Sequence, residues 1–148
     1  MIKRDRLPVD IRVRLPRLIE RFGGDQQVTA LYLFGSFARG AEDALSDLDL
    51  AILFDPKTPP VDLGQLTLDY LVQINRLLVT DEVSFLVLNT APLTLRYEVV
   101  HTGKVLVDND PAVRLSFELY TEDLYMDFKP LLDAYDDALL EQLTTATG

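Results

Sequence analysis

The sequence predicts an α+β fold, a small sheet flanked by helices, on three observations. Two short apolar runs, residues 28–34 and 46–54, are bounded by turn residues and read as strands. Stretches with helical apolar spacing lie before, between and after the strand-like runs. The 148 residues carry no repeat and no linker, so one domain over 1–148 is expected, with a core from about residue 9 to 107 and a helical segment over 111–143.

The elements follow in order. Val9 to Phe22 has apolar residues at Val9, Ile11, Val13, Leu15, Leu18, Ile19 and Phe22, loosely helical in period, and Gly23-Gly24 ends it. Val28 to Phe34 is a buried strand that stops at Gly35. Ser46 to Phe54 begins polar and turns apolar. Because side chains alternate along a strand, Asp47 and Asp49 share one face, with Leu48, Leu50 and Ile52 on the other. Phe54 to Pro60 is a proline-rich loop, and a helix follows from Asp62 to about Leu78 with Leu63, Leu66, Leu71, Ile74, Leu77 and Leu78 inward. Glu82 to Leu88 reads as a third strand, Pro92 to Thr102 as a helix stopped by Gly103, and Lys104 to Val107 as a fourth strand. From Pro111 the pattern is helical, with Pro130 expected to kink or divide it.

Composition narrows the function. The start of the chain lacks the apolar segment of a signal peptide and no stretch reaches membrane-spanning length, so a cytosolic protein without membrane contact is expected. Zero cysteines exclude disulfides, thiolate zinc sites and cysteine nucleophiles, and the single His101 cannot build a histidine cluster; any metal must take oxygen ligands. The net charge of −10 disfavours a broad phosphate-neutralising surface and so a nucleic-acid partner. It fits a basic protein partner, or simply solubility. The last segment interleaves Phe117, Tyr120, Tyr125, Phe128 and Tyr135 with many carboxylates, which suits either a partner face or ordinary packing.

The densest chemistry lies between residues 34 and 49. Gly35 lets a ligand approach the backbone, and Ser36 offers a hydroxyl and a free amide at the start of a short helix, where an anion such as phosphate is favoured. Asp47 and Asp49 on one strand face repel unless a cation lies between them, and magnesium, which binds through one or two carboxylates plus substrate phosphates, is the natural candidate. Arg39 serves either the triphosphate or an ion pair with these carboxylates. His101, at a helix end, is expected to face terminal carbonyls rather than act as a base.

Gly35-Ser36, ten residues, then Asp47-Leu48-Asp49 resembles the signature of the polymerase-β-like nucleotidyltransferase superfamily. Ala38-Arg39-Gly40, Ser46, Leu88 to Pro92, Arg96-Tyr97-Glu98 and Gly103 to Leu106 are similar to the small MNT-domain (minimal nucleotidyltransferase) antitoxins of HEPN/MNT toxin–antitoxin pairs. The resemblance covers about residues 28 to 107. It implies a small mixed sheet, ATP as substrate with Mg2+ on Asp47 and Asp49, Gly35 and Ser36 at the phosphates, and transfer of AMP to a tyrosine of a HEPN-family toxin held in a hetero-oligomer. One position departs from the pattern. The third carboxylate of active members, four residues before the Leu of the Leu-Asn pair, aligns with Ser84, a neutral and weak ligand. Glu82, two residues earlier on the same face and about 6 to 7 Å away, is either its replacement or a plain polar strand start. The resemblance therefore implies either an AMP-transferring antitoxin or one acting by binding alone. A small-molecule nucleotidyltransferase is a third reading, for which the chain lacks an obvious second substrate domain.

Overall fold

The computed structural model describes residues 11–42 and 46–147. Its elements are α1 (Ile11–Phe22), β1 (Val28–Phe34), α2 (Gly35–Arg39), β2 (Leu48–Phe54), α3 (Pro60–Leu78), β3 (Val83–Val87), α4 (Leu93–Thr102), β4 (Lys104–Asp108) and α5 (Pro111–Thr147). Val9, the expected start of the first helix, lies outside the described residues.

Four strands form one sheet in the order β3-β2-β1-β4. β1 pairs antiparallel with β2 and β4, and β2 pairs parallel with β3, so the sheet is mixed, as expected. The parallel pair requires a crossover, which α3 supplies.

Alternation along the strands separates two cores. Leu31 and Leu33 of β1 and Leu48, Leu50, Ile52 and Phe54 of β2 pack with Leu15, Leu18 and Phe22 of α1 and with Leu63, Tyr70, Ile74 and Leu78 of α3. On the opposite face Ala30, Tyr32, Ala51, Leu53 and Leu88 meet Val99 of α4, with Phe117 of α5 packed against them. Tyr70 is a core residue that apolar spacing alone did not mark; its ring stacks on Phe22, and its hydroxyl donates to Asp25 at 2.7 Å. Val13 and Ile19, counted as apolar in the α1 pattern, are solvent-exposed.

Asn89 sets the seam between β2 and the end of β3. Its side chain accepts from the Phe54 amide at 2.9 Å and donates to the Phe54 carbonyl at 3.0 Å, while the Leu88 amide bonds Ile52 O at 2.8 Å. Replacing Asn89 by alanine strands both backbone groups in a partly buried setting and is expected to cost about 1–3 kcal/mol in a urea titration.

α5 is anchored at its start. The Tyr32 hydroxyl donates to Glu118 at 3.2 Å; Arg114 ion-pairs with Glu118 and, at 3.0 Å, with Asp108 of β4. Burial and the Glu118 charge raise the pKa of Tyr32 well above its ordinary value, so it stays a neutral donor. Tyr125 stacks on Tyr97 of α4 with centroids 3.7 Å apart. Beyond this the helix continues through Pro130 without dividing. The proline removes only the bond from residue 130 to the Met126 carbonyl, at a solvent-exposed position where water can replace it.

Candidate active site

The pairing register brings part of the predicted set together. Asp49 of β2 lies opposite Phe34 on one side and opposite Ser84 on the other. Gly35 follows Phe34 directly, so the end of β1, the start of β2 and β3 converge on the Asp49 carboxyl. Asp49 and Ser84 share the sheet face occupied by α4 and α5, as alternation requires with Leu48 and Leu50 in the opposite core, whereas β2 starts at Leu48 rather than at residue 46, so Asp47 precedes the strand and meets Asp49 through its charge.

Gly35 is required twice over. Its φ is +68°, a conformation that L side chains rarely adopt, and a Cβ there would lie 2.0 Å from Asp49 Oδ2. The carboxylate therefore occupies the space a side chain would take. Gly35 opens α2, and Gly40 ends it, with the Ala41 amide bonding Ser36 O at 2.9 Å. Arg12 of α1 braces this turn: it donates to Phe37 O at 2.9 Å, ion-pairs with Glu42 and lies over the Phe37 ring. Gly103 stops α4, as expected, but does so in an extended conformation rather than a left-handed one. Its φ is −77°, and what excludes a side chain is the Val99 carbonyl, 2.4 Å from where a Cβ would sit.

The electrostatics centre on Asp49. Partial burial and then the Asp47 charge raise the pKa of Asp49, with Glu98 adding to the rise; the Ser84 hydroxyl, which hydrogen-bonds the carboxyl, and the exposed Arg39 oppose it. Asp47 and Asp49 are thus crowded like charges that a divalent ion would relieve. Among the described residues no group of three or more Asp, Glu or His converges to hold a metal unaided. Two carboxylates suit magnesium, which completes its shell with water and substrate phosphate.

Glu82 is buried, and its backbone braces the start of β2: its carbonyl accepts from the Leu48 amide at 3.2 Å, and its own amide bonds Thr80 Oγ1. Glu98 of α4, noted in the sequence only as part of the Arg96-Tyr97-Glu98 stretch, lies close enough for its charge to act on Asp49. On a helix it looks like any solvated carboxylate, and only the packing of α4 on α2 and β1 brings its charge to Asp49. Its neighbours Tyr97 and His101 stack on each other with centroids 5.2 Å apart, which gives His101 a ring partner at the helix end.

A family model described as "Polymerase beta, Nucleotidyltransferase" matches residues 17–112. The chain belongs to this nucleotidyltransferase family. Solved structures share its fold across almost their whole length. A toxin–antitoxin structure with AMP-PNP has a TM-score of 0.60 at 22% identity, covering 88% of this chain and 97% of that one. The toxin-antitoxin MntA-HepT gives 0.62 at 21%, covering 87% and 98%. A tri-AMPylated Shewanella oneidensis HEPN toxin in complex with MNT antitoxin gives 0.61 at 20%, covering 88% and 98%. No curated protein matches the sequence. No helix among the described residues is long and apolar enough to cross a membrane.

Proposed function

We propose that this nucleotidyltransferase is an MNT-type antitoxin of the cytosol, which holds ATP with magnesium at Gly35, Ser36, Asp47 and Asp49 and neutralises a HEPN-family toxin. The observation that carries the site is the fit of Asp49 Oδ2 into the space left by Gly35, with Asp47 as the second carboxylate of the pair. The partner reading is supported by fold relatives that are toxin–antitoxin structures, one with AMP-PNP and one with a tri-AMPylated HEPN toxin.

The residues divide the work. Asp47 and Asp49 hold the cation, Gly35 leaves the backbone open to a phosphate, and the Ser36 hydroxyl and amide orient the terminal phosphates. Magnesium, when bound, supplies neutralisation of the triphosphate charge. In AMP transfer the bond between the α and β phosphates breaks, pyrophosphate leaves, and a toxin tyrosine oxygen bonds the α phosphorus. The tyrosine proton needs a base. By the resemblance, the third carboxylate that would take that proton aligns with Ser84, which pairs beside Asp49, and a hydroxyl is a poor substitute. Transfer is accordingly slow, and association with the toxin supplies much of the neutralisation. Glu82 and Glu98 are the carboxylates open to the base role.

Co-expression with the product of a neighbouring HEPN-type gene tests the reading. Growth inhibition by that protein alone, relief by this chain, and co-elution of the two on size exclusion are expected. Separate elution at micromolar concentration, with no relief of growth, would remove the antitoxin role.

A further inference from the structure

The stripe of α5 that packs on the body continues beyond the body. Glu118, Thr121 and Tyr125 lie on one side of the helix: Glu118 accepts from Tyr32, Thr121 is fully buried, and Tyr125 stacks on Tyr97. Their spacing of three then four residues carries on as Phe128, Leu132, Tyr135 and Leu139. This alternation is the seam of a helix that packs against another helix. Among the described residues, however, α5 packs chiefly on α4 and β1 near its start. Phe128 and Leu139 are each 44% exposed and Tyr135 is 67% exposed.

We propose that residues 128–139 of α5 dock an amphipathic α-helix of a basic protein partner. The seam is about 17 Å long at 1.5 Å per residue, room for three turns of a partner helix. Charge decides the occupant. Residues 127–141 carry Asp127, Asp133, Asp136, Asp137 and Glu141 against the single cation Lys129, which already ion-pairs with Asp133 at 2.8 Å. A second copy would lay two such acidic surfaces side by side, whereas a helix flanked by Lys and Arg would neutralise them. Two large aromatics alternating with leucines match the anchors that dominate interface energy. The inference rests on the antitoxin reading for the identity of the partner, the HEPN toxin, and adds the surface that holds it.

The test compares the wild-type complex with the toxin against a quadruple variant, Phe128→Ala, Leu132→Ala, Tyr135→Ala and Leu139→Ala, and against Asp133→Asn, Asp136→Asn, Asp137→Asn. Because Phe128, Tyr135 and Leu139 are exposed, Leu132 is half-buried and alanine favours helix, melting curves should be little changed. The seam variant is expected to weaken the complex at least about 100-fold by surface plasmon resonance. The charge variant should slow association and flatten its dependence on salt. A seam variant that binds within threefold of wild type overturns the docking surface and leaves the antitoxin role standing. Failure of the wild-type chain itself to bind the toxin overturns both. A wild-type dimer in light scattering that the seam variant disperses identifies a second copy as the occupant and also overturns the proposal.

Discussion

Titrated with ATP and magnesium in a calorimeter, the Asp47→Ala, Asp49→Ala double variant is expected to lose the magnesium-dependent part of binding. Removing even a group that merely supports a metal ligand costs about 10–100-fold in metal affinity, so removing both ligands should exceed about 100-fold. The fold should survive. The two carboxylates repel each other in the free protein, and Asp49 is partly desolvated without a cation, so their loss relieves an unfavourable local charge. Equal affinity in variant and wild type would sink the site.

Gly35→Ala is the second large effect, and it acts by geometry rather than charge. The new Cβ would fall 2.0 Å from Asp49 Oδ2, and the backbone would have to keep a φ of +68° with a side chain present. Holding a non-glycine residue in that region costs about 1–3 kcal/mol, and Asp49 must also swing away. Misplacing a positioned group by about 1 Å can cost on the order of 100-fold in rate, so nucleotide transfer in a Ser84→Asp background should fall by that order. Thermal melting combined with the transfer assay separates the two costs. A Gly35→Ala protein with wild-type stability and an undiminished rate would show that the contact between Gly35 and Asp49 is unimportant.

Much of this site was legible in the sequence because strand geometry is local. Alternation alone sets Asp49 opposite Leu48 and Leu50, and the packing of those leucines agrees; Asp47, one residue before β2, acts on Asp49 through its charge. The position of Ser84 beside Asp49 depends on register, which is long-range, yet the Leu88-Asn89 pair carries it: Asn89 ties the end of β3 to Phe54, and counting back from there reaches Ser84. What stayed hidden came from helices meeting strands far away in the chain. Nothing in the Arg96-Tyr97-Glu98 stretch says that Tyr97 stacks on Tyr125 or that Glu98 acts on Asp49. The end of α3 was similarly opaque in mechanism. Its cap is Val79 at φ +55°, a β-branched residue where glycine is usual, so no punctuation in the sequence marks it. Of the two outcomes expected at Pro130, a kink or a division, division does not occur: one missing bond at an exposed position does not end a 37-residue helix.

The most direct measurement is the intact mass of the HEPN toxin after incubation with ATP, magnesium and each form of this chain. Wild type is expected to add AMP slowly or not at all. Ser84→Asp should add it faster, by up to about 10² to 10⁴, the usual worth of a positioned general base. The Asp47→Ala, Asp49→Ala variant should add none. Glu82→Gln and Glu98→Gln report which native carboxylate supports any residual transfer. Efficient modification by wild type, no faster in Ser84→Asp and unaffected by Glu82→Gln or Glu98→Gln, would contradict a nucleotidyltransferase site weakened by the loss of its third carboxylate.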